Sequence, residues 1–172
     1  MSQPRLQYFL VIIAFLALSR LLPHPPNVSV MTAMALFGGA YFSSRSLALV
    51  VSLSAMLLSD AVLGFHSLMW VVYGSFALVV LMGSVASRFR EKISAMVGLA
   101  LGSSILFFFT TNTAVWAFHD SYPHTLEGLG MCYVAALPFF QNSLLSDVFF
   151  TVLLFSTVNA WQRQANPLRV TA

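Results

Sequence analysis

The chain has 172 residues, of which 59% are hydrophobic and only 8% charged. A soluble domain carries about a quarter charged residues to wet its surface, so this composition excludes an ordinary water-soluble fold and points to a bilayer. The net charge of +3 comes from eight Lys and Arg against five Asp and Glu, a spread that reads as membrane-topology signals and not as a nucleic-acid footprint.

A spanning helix needs roughly 20 mostly apolar residues, so six with short connections consume nearly the whole chain and leave no room for a soluble domain. The expected architecture is all-α: one transmembrane domain over residues 1–172, a single bundle of six helices with both termini cytoplasmic. The first span, 7–22, lies in "MSQPRLQYFLVIIAFLALSR". Its charged start and apolar run resemble a signal peptide, but no small-x-small cleavage site precedes "LLPHPP", so it is read as a retained helix. Three prolines and an asparagine in "PHPPN", Pro23 to Asn27, then stop it.

The second span, 28–44, contains "MTAMALFGGAYF" with Ala33, Ala35, Gly38, Gly39 and Ala40. Small residues let backbones approach closely, which suits a helix packed tightly in the bundle or facing a partner. Arg45 marks the next turn. The third span, 46–65, carries "LLSD" ending at Asp60; the fourth, 67–87, ends before the basic run Arg88 to Lys92; the fifth, 93–117, contains "FFFTTNTAVW". A long outer connection, Phe118 to Leu137, follows, with "LEGLGMCYVAAL" expected as a short interfacial or re-entrant helix before Pro138. The sixth span, 138–160, repeats "LLSD" at Leu144 to Asp147.

On this map Arg5, Arg45, Arg88, Arg90, Lys92, Arg163 and Arg169 fall on one side and Arg20 alone on the other, the distribution expected when the first side is cytoplasmic. His24, His66, His119 and His124 then gather at the outer end, with Asp120 and Glu127. Phe65, Trp70, Tyr73, Phe118 and Tyr122 reach the same level, where interfacial aromatics belong.

Carboxylates inside spans are costly unless they face a polar interior, which makes Asp60 and Asp147 site candidates. Asp60 is expected near enough to its helix end to be solvated. Asp147, roughly 9 Å of helix rise past Gln141, is the deeper charge, facing a pocket, protonated, or bridged to Arg20, Asn112 or a hydroxyl. Asn112 can donate and accept hydrogen bonds to a neutral solute, and Trp116 can stack on a flat ring. The expected pocket lies between the outer halves of spans three, five and six, lined by Asp60, His66, Asn112, Trp116, His119, Asp120, His124 and Asp147. In "FHDSYPHTLEG", Phe118 to Gly128, His119 and His124 are expected to serve a lid that bonds the solute or Asp60 and His66. Cys132 alone forms no intramolecular disulfide and reads as a small apolar packer. The histidines and acids show no fixed metal-ligand spacing such as HExxH. No nucleophile elbow, paired-carboxylate motif or phosphate loop can be assembled, so neither an enzyme nor a cofactor site is expected.

The segments "PHPPN", "ALFGGAYF", "LLSDAVLGFH", "YPHTLEGL" and "CYVAALPFFQNSLLSD" resemble a small bacterial multi-pass membrane-protein family described as a domain of unknown function, over Leu22 to Phe155. More distantly, the Pro/Asn break, the small-residue span ending in Gly-Gly-Ala and the next span ending in Ser-Asp are similar to substrate-binding S components of energy-coupling-factor vitamin transporters. That resemblance implies six spans in the bacterial inner membrane and an outward-facing pocket, capped by loops, for a vitamin-like micronutrient. It also implies a transmembrane coupling subunit with ATPases as partner. The sequence departs from the pattern: the first helix offers Ala14 and Ala17 at spacing three in place of the docking alanines four apart, and "MSQPR" lacks the N-terminal metal motif. Cys132 has no secure match to the metal-coordinating cysteine of a solitary cobalamin-uptake branch. The expected function is a solute-binding membrane subunit; the alternatives are a non-catalytic assembly or scaffold protein and a metal-binding membrane protein.

Overall fold

The computed structural model describes residues 3–23 and 25–165; His24 and Arg169, and the side chains of Arg5 and Ala17, lie outside the described residues. Among these, six helices follow one another: α1 (Gln3–Ser19), α2 (Met31–Tyr41), α3 (Arg45–Leu63), α4 (Met69–Val85), α5 (Ile93–Phe118) and α6 (Leu126–Ala165). A 3-10 turn, Ala86–Phe89, extends α4, and no strand is present among the described residues. The segments Arg45–Leu63, Met69–Phe89, Ile93–Phe118 and Leu126–Gln164 are each long and apolar enough to cross a membrane.

Burial supports that environment. Val50, Leu57, Leu58, Phe109, Leu145 and Phe149 are exposed, whereas Ser52, Asp60, Ser103, Ser104, Asp147 and Thr151 are buried. Water would expel such an apolar surface, but lipid tails accept it, and the polar groups then belong inside the bundle.

The second element corrects the expected span over 28–44. α2 has only eleven residues, all buried, and it touches each of the other five helices. At about 16 Å it cannot cross a hydrocarbon layer of about 30 Å alone. Pro25 and Pro26 supply no N–H, Asn27 adopts φ 60°, and the connection is tied to the middle of α6. Asn142 donates to the Pro26 carbonyl at 3.1 Å, Ser143 to that of Asn27 at 3.4 Å, and the Ser29 N–H donates to Ser146 at 3.3 Å. The chain therefore enters the bundle in irregular form and becomes helical only partway through.

The small residues of α2 serve this central position. A Cβ on Gly39 would overlap the Val80 carbonyl, and one on Gly83 would overlap Leu36. Glycine at both positions lets the α2 and α4 backbones cross in contact. Full burial in the bundle leaves α2 no face for a separate partner.

The described basic residues other than Arg20 share one end. There Arg90 donates to the Ala40 carbonyl at 3.3 Å and lies 5.0 Å over the Tyr41 ring. Asn159 joins them, accepting from Tyr41 at 2.7 Å and donating to the Arg90 carbonyl at 3.3 Å. Tyr8 of α1 packs edge-on against Trp161 of α6, so α1 starts at this end and delivers Arg20 to the other.

The long connection expected over Phe118 to Leu137 is corrected as well. Only His119–Thr125 lies outside the helices, and α6 runs without interruption through Pro138. Thr125 caps α6 by accepting from the Gly128 N–H at 3.1 Å. The piece before Pro138 packs on α5: Cys132 is buried and reaches the Asn112 carbonyl at 3.4 Å, and Tyr133 bonds Thr113 at 2.7 Å. Proline forfeits a helical hydrogen bond, and packing against a neighbouring helix keeps the chain helical on both sides of it.

Candidate functional site

Because α2 begins partway through the bundle, the space beyond its N-terminus is open. A cavity of about 370 Å³ occupies it. Met31 and Thr32 of α2 form one side of its deep end, where α6 contributes Asp147. That carboxylate is 5% exposed; Ser104 donates to it at 2.6 Å, and the Thr32 side chain also hydrogen-bonds it. A helix N-terminus carries partial positive charge, so this is a favourable place for a carboxylate.

Two helical stripes build the walls. On α5 they are Ser104, Phe107, Phe108, Thr111 and Asn112; on α6, Ala136, Phe139, Phe140, Ser143 and Asp147. Steps of three and four keep each set on one helix face. Phe108 and Phe140 meet at 4.6 Å between ring centres, and Phe76 of α4 meets Phe107 at 5.1 Å. Thr111 and Asn112 bond back to their own helix, at the Phe107 and Phe108 carbonyls, at 2.7 Å and 2.8 Å. Their remaining polar capacity can face the cavity without leaving those bonds.

The α1–α2 connection and the α3–α4 loop supply Arg20, Asn27, Ser29 and His66 to the lining. Arg20 forms an ion pair with Asp60 and donates to Ser59 at 2.9 Å; Tyr73 donates to the other Asp60 oxygen at 2.7 Å. Asp60, expected to be solvated, is 2% exposed. The pairing explains how a charge sits there: Arg20 and Tyr73 replace water on both carboxylate oxygens.

His66, Asn112 and Asp147 thus share one cavity, and Asp60 stands behind its wall through Arg20. Trp116, His119, Asp120 and His124 do not line it. Trp116 donates to the Pro123 carbonyl at 2.9 Å and packs edge-on against His124 at 5.9 Å. His119 bonds Ser67 at 2.9 Å, and Asp120 and His124 line an open surface depression within their own loop. In this structure neither His119 nor His124 bonds Asp60 or His66: the short loop is held at Trp116 and Ser67, which places the imidazoles at the bundle's edge. Span three, expected as a wall, contributes no lining residue; the connection after α1 takes that place. Among the described residues no three His, Cys, Asp or Glu side chains converge as a metal site.

The missing wall residues had a readable signal. Ser104–Phe108–Thr111 and Ala136–Phe140–Ser143–Asp147 repeat at helical spacing and combine aromatic with polar groups on one face. No such signal exists for Asn27 and Ser29, which reach the cavity only because their connection turns inward.

A model described as a family of unknown function, DUF6580, matches residues 1–168. No curated protein and no solved structure matches the chain.

Proposed function

We propose that this chain, which belongs to the DUF6580 family, is a solute-binding subunit of the bacterial inner membrane that takes up a vitamin-like micronutrient in the manner of an S component. One observation carries the reading. A single cavity of about 370 Å³ brings phenylalanines from three helices together with Asp147, Asn112, Arg20 and His66. Small-molecule sites have this make-up: mostly apolar walls, a few convergent polar groups, and volumes of about 300–1,000 Å³. A bundle needing only to be stable in lipid gains nothing from an open volume next to a buried carboxylate.

In this reading the six helices lie in the membrane with the basic end cytoplasmic, as the positive-inside rule requires. The cavity end then faces outward, α2 forms the inner half of the bundle, and a coupling subunit with ATPases is the energising partner. The test is equilibrium binding of a vitamin panel to the detergent-purified protein and to Ala136→Trp, which fills the cavity from α6. Saturable binding abolished by Ala136→Trp supports the reading. Saturable binding that survives the filled cavity puts the solute elsewhere.

The scaffold alternative has one observation in its favour: an apolar groove of about 510 Å³ between α1 and α3, lined by residues such as Leu10, Leu18, Val50 and Val62. A partner helix would fit against it. Co-purification of a stoichiometric membrane partner, unchanged by Ala136→Trp and unaccompanied by any solute, favours that reading.

A further inference from the structure

We propose that the cavity selects a solute carrying a positively charged group next to an aromatic or other flat apolar part, with the charge held by Asp147. The inference rests on the solute-binding reading above and adds the charge of the solute to it.

The charges around the cavity are not evenly matched. Two ionic groups of opposite sign line it, Arg20 and Asp147. Arg20 is committed elsewhere: its guanidinium pairs with buried Asp60, whose second oxygen accepts from Tyr73. Asp147 has no such partner. Ser104 and Thr32 bond it through hydroxyls, and the one ion pair among the described residues is Arg20 with Asp60. The N-terminus of α2 supplies about half a positive charge, enough to orient the carboxylate but not to balance it. The ionised form of Asp147 therefore puts an unpaired negative charge at the deep end of a largely apolar space, and a cationic solute is the partner that would stabilise that form.

The surrounding walls favour the same answer. Phe107, Phe108 and Phe140 present aromatic rings to the space Asp147 faces. Ring faces attract cations, most strongly when both partners are shielded from water. An anionic solute would meet the Asp147 carboxylate with no free guanidinium to offset it. A neutral solute would leave that carboxylate uncompensated.

The test uses benzyltrimethylammonium, phenethylamine, phenethyl alcohol and phenylacetate with the full-length protein in lipid nanodiscs. Binding is followed by calorimetry and by displacement from the cavity, with Ala136→Trp as the blocked control. Both cations should bind at least about tenfold more tightly than the alcohol, and phenylacetate most weakly. In Asp147→Asn the cations should lose their advantage over the alcohol, since the charge that selects them is gone. The wild-type order alone decides the matter if Asp147→Asn fails to fold. Equal or tighter binding of the alcohol or phenylacetate, blocked by Ala136→Trp, overturns the charge assignment and leaves the solute-binding reading standing. No binding of any probe to folded protein overturns the charge assignment alone, because the vitamin panel tests the wider reading separately.

Discussion

Arg20, just beyond α1, pairs with Asp60 in the last turns of α3, forty residues further along the chain. The pair ties the first helix to the third at the end where the cavity opens. Removing the cation leaves a carboxylate that is 2% exposed without its partner. Arg20→Met should therefore destabilise the bundle by about 3 kcal/mol, and adding Asp60→Asn should recover much of the loss. Unfolding of the four proteins of this cycle by denaturant measures the coupling; additive losses would mean that the two side chains act independently.

The crossing of α2 over α4 gives a sharper structural test. Gly39→Ala places a methyl group against the Val80 carbonyl and should cost about 2–3 kcal/mol. Gly74→Ala, on the exposed side of α4 with nothing nearby, should be neutral or stabilising by up to about 1 kcal/mol. Thermal unfolding of the two variants side by side provides the comparison.

The α5–α6 loop is held by Trp116 and His119 and stands apart from the cavity. Trp116→Phe with His119→Ala should speed amide exchange over residues 119–125 while changing solute affinity by less than about twofold. Hydrogen exchange and equilibrium binding on the same preparation read both effects. A large loss of affinity would restore a direct role for the loop.

How far the sequence revealed this arrangement depended on whether the signal was local. Apolar runs placed the long helices α3, α4 and α5 within a few residues, because a spanning segment must satisfy its backbone internally and so must be helical. The same rule misread α2, whose flanking residues 28–30 and 42–44 are apolar or small but stay outside the helix; on the N-terminal side Asn27 and Ser29 are tied to Ser143 and Ser146, more than a hundred positions away. Pro138 was misread in the opposite sense, as a boundary, because its tolerance depends on packing against α5. Asp147 and Asn112 stood out in the sequence as polar groups in apolar text. His119, Asp120 and His124 stood out equally, yet their loop folds onto the end of α5.

Orientation is open to direct test on a Cys132→Ala background, which removes the buried native thiol. Ser121→Cys lies in the exposed loop at the cavity end, and Ser43→Cys in the exposed turn at the basic end. In intact cells a membrane-impermeant maleimide should label Ser121→Cys and should reach Ser43→Cys only after permeabilisation. The opposite pattern would reverse the bundle and turn the cavity toward the cytoplasm.

The claim that the cavity holds a solute is tested most directly by native mass spectrometry of the protein taken from its own membrane straight into lipid nanodiscs. The wild-type chain is expected to carry one small-molecule adduct, and the cavity-filled Ala136→Trp protein, folded and purified in parallel, is expected to carry none. The same adduct at the same occupancy in both proteins, or bare wild-type protein throughout, would contradict it.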